Sequence, residues 1–153
     1  FLNAIARVPI DYERAGRVSI EAMVHLDHIV NEVLRARDTL KANGTYEASP
    51  LKAILDQDAG SISNPVTREQ QAQMISLGAG AGRLPGDGVP LRFERLLNKV
   101  KHRHKDGTNF RVASNGAHIF LVNVDTPRGQ PDSIVEFSVA EFCGRCAEAS
   151  VHV

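Results

Sequence analysis

The sequence predicts an α+β domain: a predominantly helical bundle followed by a small three-stranded antiparallel meander and a C-terminal helix. Three observations predict it. No proline falls between Asp11 and Ala42, and apolar residues recur there at helical spacing. After Gly107 the apolar period changes from 3.6 to 2. Near the end of the chain Ser138 and Glu141 stand at the spacing of a capping box. The 153 residues are read as one domain, 1–153. Its helical part covers about 1–106 and its meander plus final helix about 107–153.

Taken in order, Ile20, Met23, Leu26, Val30 and Val33 form the apolar stripe of the first helical stretch, widened by Val24, Leu34 and Leu40. Arg17, Glu21, Asp27, Glu32, Arg35 and Asp38 fall largely outside that stripe, as solvent-facing residues of an amphipathic helix do. The stretch is one long helix or two joined near Gly16, and Asn43-Gly44 stops it. Ser49-Pro50 reads as an N-cap with proline in the first turn, opening a short helix that carries Leu51, Ile54 and Leu55. Asn64-Pro65 has the same grammar and is expected to launch a helix from Val66 to Leu77, ended by Gly78. Five glycines and a proline between Gly78 and Gly88 make a loop.

A further helix is expected from about Val89 to Lys105, with Leu91, Leu96, Leu97 and Val100 as its apolar positions. Phe110 and Val112, then Ile119 and Leu121, flank Asn115-Gly116, a strong signal for a tight hairpin turn. Asp125 to Asp132 is a second turn, and Ile134, Val135, Phe137 and Val139 make the third strand. The closing helix carries Phe142, Cys143, Cys146 and Ala147.

Composition excludes several classes. Apolar residues are 42% of the chain and charged ones 24%, a globular balance. No apolar run is long enough for a transmembrane helix, so no membrane partner is expected. Two cysteines are too few for a disulfide scaffold and point to a reducing, cytoplasmic setting. No basic stretch followed by an apolar one marks a leader at Phe1; the first residue is not Met, which leaves a trimmed leader open.

Eighteen basic and eighteen acidic residues sum to zero, but they are not spread evenly. The string Arg92 to Lys105 holds six Lys or Arg against Glu94 alone, with His102 and His104 besides. It carries +5 on a chain that is otherwise −5. On a helix Arg95, Asn98 and His102 share one face, and Lys99 lies beside them. Arginine offers phosphate a planar fork of donors, and histidine moves protons near neutral pH. The amide of Asn98 is placed to orient either. Arg92, Lys99, Lys101, Arg103 and Lys105 complete a surface suited to a polyanion. The plain alternative is a solvated basic helix packed by its apolar side.

Arg95, six intervening residues and His102 on a late helix resemble the motif of the HEPN superfamily. The string Asn98-Lys99-Val100-Lys101-His102-Arg103 is similar to a stretch found in HEPN-like proteins. The resemblance covers about residues 11–105. It implies a helical, dimeric protein with two such motifs in a cleft between subunits. Many such proteins are metal-independent ribonucleases, and others bind RNA, nucleotides or partner proteins. Carried over, Arg95 would grip the scissile phosphate, His102 would act as acid or base while a 2′-hydroxyl attacks, and Asn98 would position one of them. Leu96 departs from the pattern, which usually has a polar residue after the Arg, and the meander from Thr108 to Val139 is no part of the family's helical core.

The remaining motifs carry less. Cys143-Gly144-Arg145-Cys146 lacks the preceding strand of a redox motif and the second pair of a zinc site, so both cysteines are expected in the core. His25 and His28 lack a matching Glu-x-x-His, and no metal site is expected. The glycine-rich loop lacks the Lys-Ser/Thr of a phosphate-binding P-loop. No cofactor is implied. The leading expectation is a homodimeric protein that binds RNA or nucleotide phosphate through Arg95, Asn98 and His102, with metal-independent ribonuclease activity there left open. The alternatives are a non-catalytic dimeric interaction protein and a small-molecule binder with a pocket between helices and sheet.

Overall fold

A computed structural model describes residues 11–153. The leader question at Phe1 and the first ten positions of the expected helical part lie outside the described residues, as do the side chains of Ile20 and Met23.

Among the described residues five α-helices, one 3-10 turn and five strands follow one another. Helix α1 runs Tyr12–Ala42, capped by Asp11, whose carboxylate accepts from the Arg14 N–H at 2.9 Å. A 3-10 turn (Tyr46–Ala48) leads to α2, Pro50–Leu55, where Ser49 caps and Pro50 occupies the first turn. Then come β1 (Asp58–Ser63), α3 (Arg68–Ser76), β2 (Val89–Arg92) and α4 (Phe93–Lys101). The chain closes with β3 (Arg103–Val112), β4 (His118–Asp125), β5 (Pro131–Ser138) and α5 (Val139–Ser150).

All strands join one antiparallel sheet in the order β2-β1-β5-β4-β3. This corrects the expected architecture: the three C-terminal strands are part of a five-stranded sheet, not a meander appended to a helical bundle. Strands occur well before residue 107, so the division into a helical part and a β part does not hold. The reason lies in β1 and β2. The segment DAGSIS carries only Ala59 and Ile62 as buried apolar residues, too few to announce a strand, yet it pairs with a neighbour on each side. The four-residue β2 contains Pro90, which suits an edge strand because proline lacks the N–H a central position needs.

Side-chain alternation sorts the two faces. Phe110, Phe120, Val122, Val124, Val135 and Phe137 pack with Leu26, Val30, Val33 and Leu34 of α1 and with α2, α4 and α5. Leu121 and Ile134 face the other way, onto Val66 and Met74 of α3. The sheet therefore lies between four helices and one. On the α3 side polar side chains do part of the docking. Gln71 donates to the Val124 carbonyl at 3.1 Å, Asn123 to the Gln71 carbonyl at 3.2 Å, and Asn109 to the Met74 carbonyl at 2.8 Å.

Two helix boundaries differ from expectation. Asn64-Pro65 does not start α3, because the Asn64 side chain is used on the Asp132 carbonyl at 2.8 Å. Thr67 and Gln70 form a reciprocal capping box, and the helix begins at Arg68. The helix expected from Val89 to Lys105 splits into β2, the shorter α4 and the start of β3. Leu91 matched the helical stripe but faces the core from a strand, a coincidence of phase. In α5, Cys146 is buried and Cys143 exposed, which corrects the expectation that both lie in the core. Burial pushes the Cys146 thiol up to about 12, helped by Cys143 beside it.

Helix α4 is held to α1 by Glu94. Its carboxylate accepts from Arg37 at 3.0 Å, from Lys41 at 2.9 Å and from the Tyr46 hydroxyl at 3.4 Å. Partial burial pulls the Glu94 pKa up, but the Lys41 and Arg37 contacts outweigh it and hold the carboxyl below the usual range. Burial and the Glu94 charge push Tyr46 up to about 12. A depressed carboxylate stabilises the fold above its unfolded pKa, and that contribution is lost as pH falls through the folded value. Glu94→Gln is therefore expected to cost about 1–2 kcal/mol at pH 7, discounted for partial exposure. Urea melts at a series of pH values check this: the gap between wild type and variant should close between about pH 5 and pH 3. A gap that stays constant with pH would show that the carboxylate charge contributes nothing.

Candidate functional site

The basic string bends where α4 ends. His102 is the C-cap residue, and its N–H reaches the Asn98 and Lys99 carbonyls at 3.2 Å each. The chain then turns into β3, whose pairing with β4 shifts register between Arg103 and Thr108. Gly107 makes the close approach here: a Cβ at this position would stand 2.8 Å from that of Asn123. The consequence for the expected interface is specific. Arg92 belongs to β2, Lys99 and Lys101 to α4, and Arg103 and Lys105 to β3, so these residues do not share one helix.

Ion pairs separate them further. Arg103 grips Asp27 of α1 with both terminal nitrogens, at 2.6 and 2.9 Å, and also donates to the Val100 carbonyl at 2.9 Å. Its side chain is only 13% exposed, so it stitches α1 to the α4–β3 junction. Lys99 pairs with Asp132 of β5, which also accepts from the Ser133 hydroxyl at 2.7 Å and from Asn64 at 3.4 Å. Burial pulls the Asp132 pKa up, but hydrogen bonds from Lys99 and Ser133 and the charges of Lys99 and Arg95 bring it below the usual range. Arg92 lies 3.6 Å from Asp56. Arg95, Lys101 and Lys105 are exposed and make no ion pair among the described residues.

A cleft of about 460 Å³ opens at this junction. Asn98, Lys99, His102, Arg103 and His104 line one side; Val124 to Pro127 and Asp132, around the β4–β5 turn, line the other. The turn is itself anchored: Arg68 of α3 pairs with Asp125 at 3.1 and 3.0 Å and donates to the Gly129 carbonyl at 2.9 Å. Of the expected catalytic trio, Asn98 and His102 meet in the cleft, and Arg95 is not among its lining residues. The Asn98 side-chain N–H is used on the Glu94 carbonyl at 2.9 Å, one turn back.

Sequence reading missed His104 and Asp132 as parts of this site. His104 follows His102 by two residues in the same string, a signal that was present. Asp132 had none, because only folding brings it across 33 residues to Lys99. The segment 11–105, which carries the HEPN resemblance, holds strands β1 and β2 as well as helices. His25 and His28 are exposed on α1, and no group of three metal-ligating side chains assembles among the described residues. No helix among them is long and apolar enough to cross a membrane.

These features define an antiparallel α+β protein with a basic corner and a cleft beside it. Comparison with family models, curated proteins and solved structures finds no match to the chain.

Proposed function

We propose that this protein binds phosphate-bearing ligands, single-stranded RNA or nucleotides, at the α4–β3 corner. One observation carries the reading. Ion pairs hold Lys99 and Arg103, and Asp56 approaches Arg92, but Arg95, Lys101 and Lys105 stay exposed and unpaired among the described residues, on the same stretch of chain that presents His102 and His104 to the cleft. Unpaired cations on an otherwise acidic protein concentrate their field at one place, and a polyanion is drawn there. The two free thiols suit a reducing cytoplasm, where such ligands are abundant.

Fluorescence anisotropy with a labelled single-stranded RNA at several salt concentrations tests this. The triple variant Arg95→Ala, Lys101→Ala, Lys105→Ala should weaken binding about tenfold or more. It should also flatten the log affinity against log salt slope by about 2, since each single-strand phosphate contact contributes about 0.7. Unchanged affinity and slope would overturn the proposal. The same RNA incubated in EDTA reads out catalysis. His102 and His104 line one cleft, and the reading gives one of them the proton of an attacking 2′-hydroxyl and has the other protonate the leaving 5′-oxygen. Scission that disappears in His102→Ala makes the protein a metal-independent ribonuclease, and an intact strand leaves it a binder.

A further inference from the structure

Both cations built into the cleft wall are already neutralised. Lys99 is held by Asp132, and Arg103 by the forked contact to Asp27. Among the lining residues Lys99 and Arg103 balance Asp125 and Asp132, and Asp125 is in turn paired with Arg68. A backbone phosphodiester carries one negative charge. At Lys99 it would compete with a carboxylate of equal charge that two further donors, Ser133 and Asn64, already hold in place. Such an exchange gains nothing, and discrimination of this kind works by disfavouring the wrong ligand.

A phosphomonoester differs in charge. At neutral pH it carries about −1.5 to −2 and offers three acceptor oxygens. Coulomb attraction scales with that charge, so it competes for Lys99 where a diester does not. Its remaining oxygens are left for the imidazoles of His102 and His104, which line the cleft and make no ion pair among the described residues. The volume suits a whole terminal nucleotide, with the exposed ring of Pro127 as an apolar contact at its edge. The unpaired cations Arg95, Lys101 and Lys105, which are not among the lining residues, are left for the diesters of the following chain.

We propose that the cleft takes the phosphomonoester end of a nucleic-acid strand and that Asp132 is the specificity-determining residue that excludes internal phosphodiesters. This rests on the phosphate-binding reading above.

The test uses the full chain and three RNAs of one sequence, with hydroxyl ends, a 5′-phosphate or a 3′-phosphate. A phosphate at one end should tighten wild-type binding about tenfold, roughly 1.4 kcal/mol. Asp132→Asn keeps the side-chain shape and one acceptor oxygen but removes the charge that pairs with Lys99. It should raise affinity for the hydroxyl-ended RNA and shrink the preference to about threefold or less, whereas Asp132→Glu should restore it. A thermal melt confirms that each variant is folded, and Lys99→Ala serves as a second variant that should lose the preference without gaining affinity. Equal affinity for all three RNAs in wild type overturns this inference and leaves RNA binding standing. A preference that survives Asp132→Asn removes Asp132 from the role. Failure of every RNA to bind overturns both readings.

Discussion

Phe142→Ala is expected to destabilise the protein by about 4 kcal/mol, within the range found for emptying a buried aromatic site. Phe142 is fully buried on α5 and stands at the centre of a row of rings. Its centroid lies 5.8 Å from Phe93 of α4 in an edge-on arrangement and 4.9 Å from Phe137 of β5, which in turn sits 5.9 Å from Phe120 of β4. The substitution removes two ring contacts, each worth about 0.5–1.5 kcal/mol beyond area burial, and leaves a cavity between helices and sheet. For a chain of this length the melting temperature should fall by about 10 °C. Urea denaturation measures the loss, and Phe142→Leu, which refills part of the space, should recover at least half of it. A loss under about 1 kcal/mol would mean the layers close over the gap, against the packing described.

Gly60→Ala should cost about 3 kcal/mol, the upper part of the usual range for overpacking. A Cβ on Gly60 would stand 2.4 Å from the Glu136 carbonyl oxygen and 3.2 Å from the Phe137 Cβ. Both neighbours belong to β5, the strand paired with β1 through Ser61 and Glu136. The obstructing atom is main chain, so relief means parting two strands in the middle of the sheet. Gly144 supplies the control: it lies inside α5 with nothing within 4 Å of an added Cβ. Gly144→Ala should stabilise the protein by about 0.5–1 kcal/mol through helix propensity. Chemical denaturation of both variants decides the point, and a neutral Gly60→Ala would show that β1 is not clamped against β5.

Some of the fold was legible because its signals are local. Ser49 caps α2, Ser138 accepts from the Glu141 N–H at 3.4 Å to cap α5, and Gly116 turns the β3–β4 hairpin with φ 84°. Each depends on a few adjacent residues and on backbone conformations that particular side chains favour. The strands of the C-terminal half announced themselves by alternation: Phe120, Val122 and Val124 face the helices, and Leu121 faces α3. Strand β1 gave no such warning: its two apolar residues, Ala59 and Ile62, stand three apart and break the alternation, with a register shift between Asp58 and Gly60, and they gain their burial from the core on the helical face. Likewise Leu91 satisfied a helical stripe and a strand equally well, and pairing with Gly60 decided for the strand.

The candidate site divides in the same way. The order of residues alone located the positive charge at residues 92–105 on an otherwise acidic chain, which the balanced composition conceals. The imidazoles of His102 and His104 were there to be read. Which of those cations remain available was decided by residues far away: Asp27 on α1 takes Arg103, Asp132 on β5 takes Lys99, and Asp56 after α2 approaches Arg92. Salt bridges and β-ladders close between groups separated by tens of residues, and their geometry exists only once the chain has folded. The sequence by itself thus determined the caps, the turns and the place of the charge. The tertiary structure decided the sheet, the cleft and the cations left free to meet a ligand.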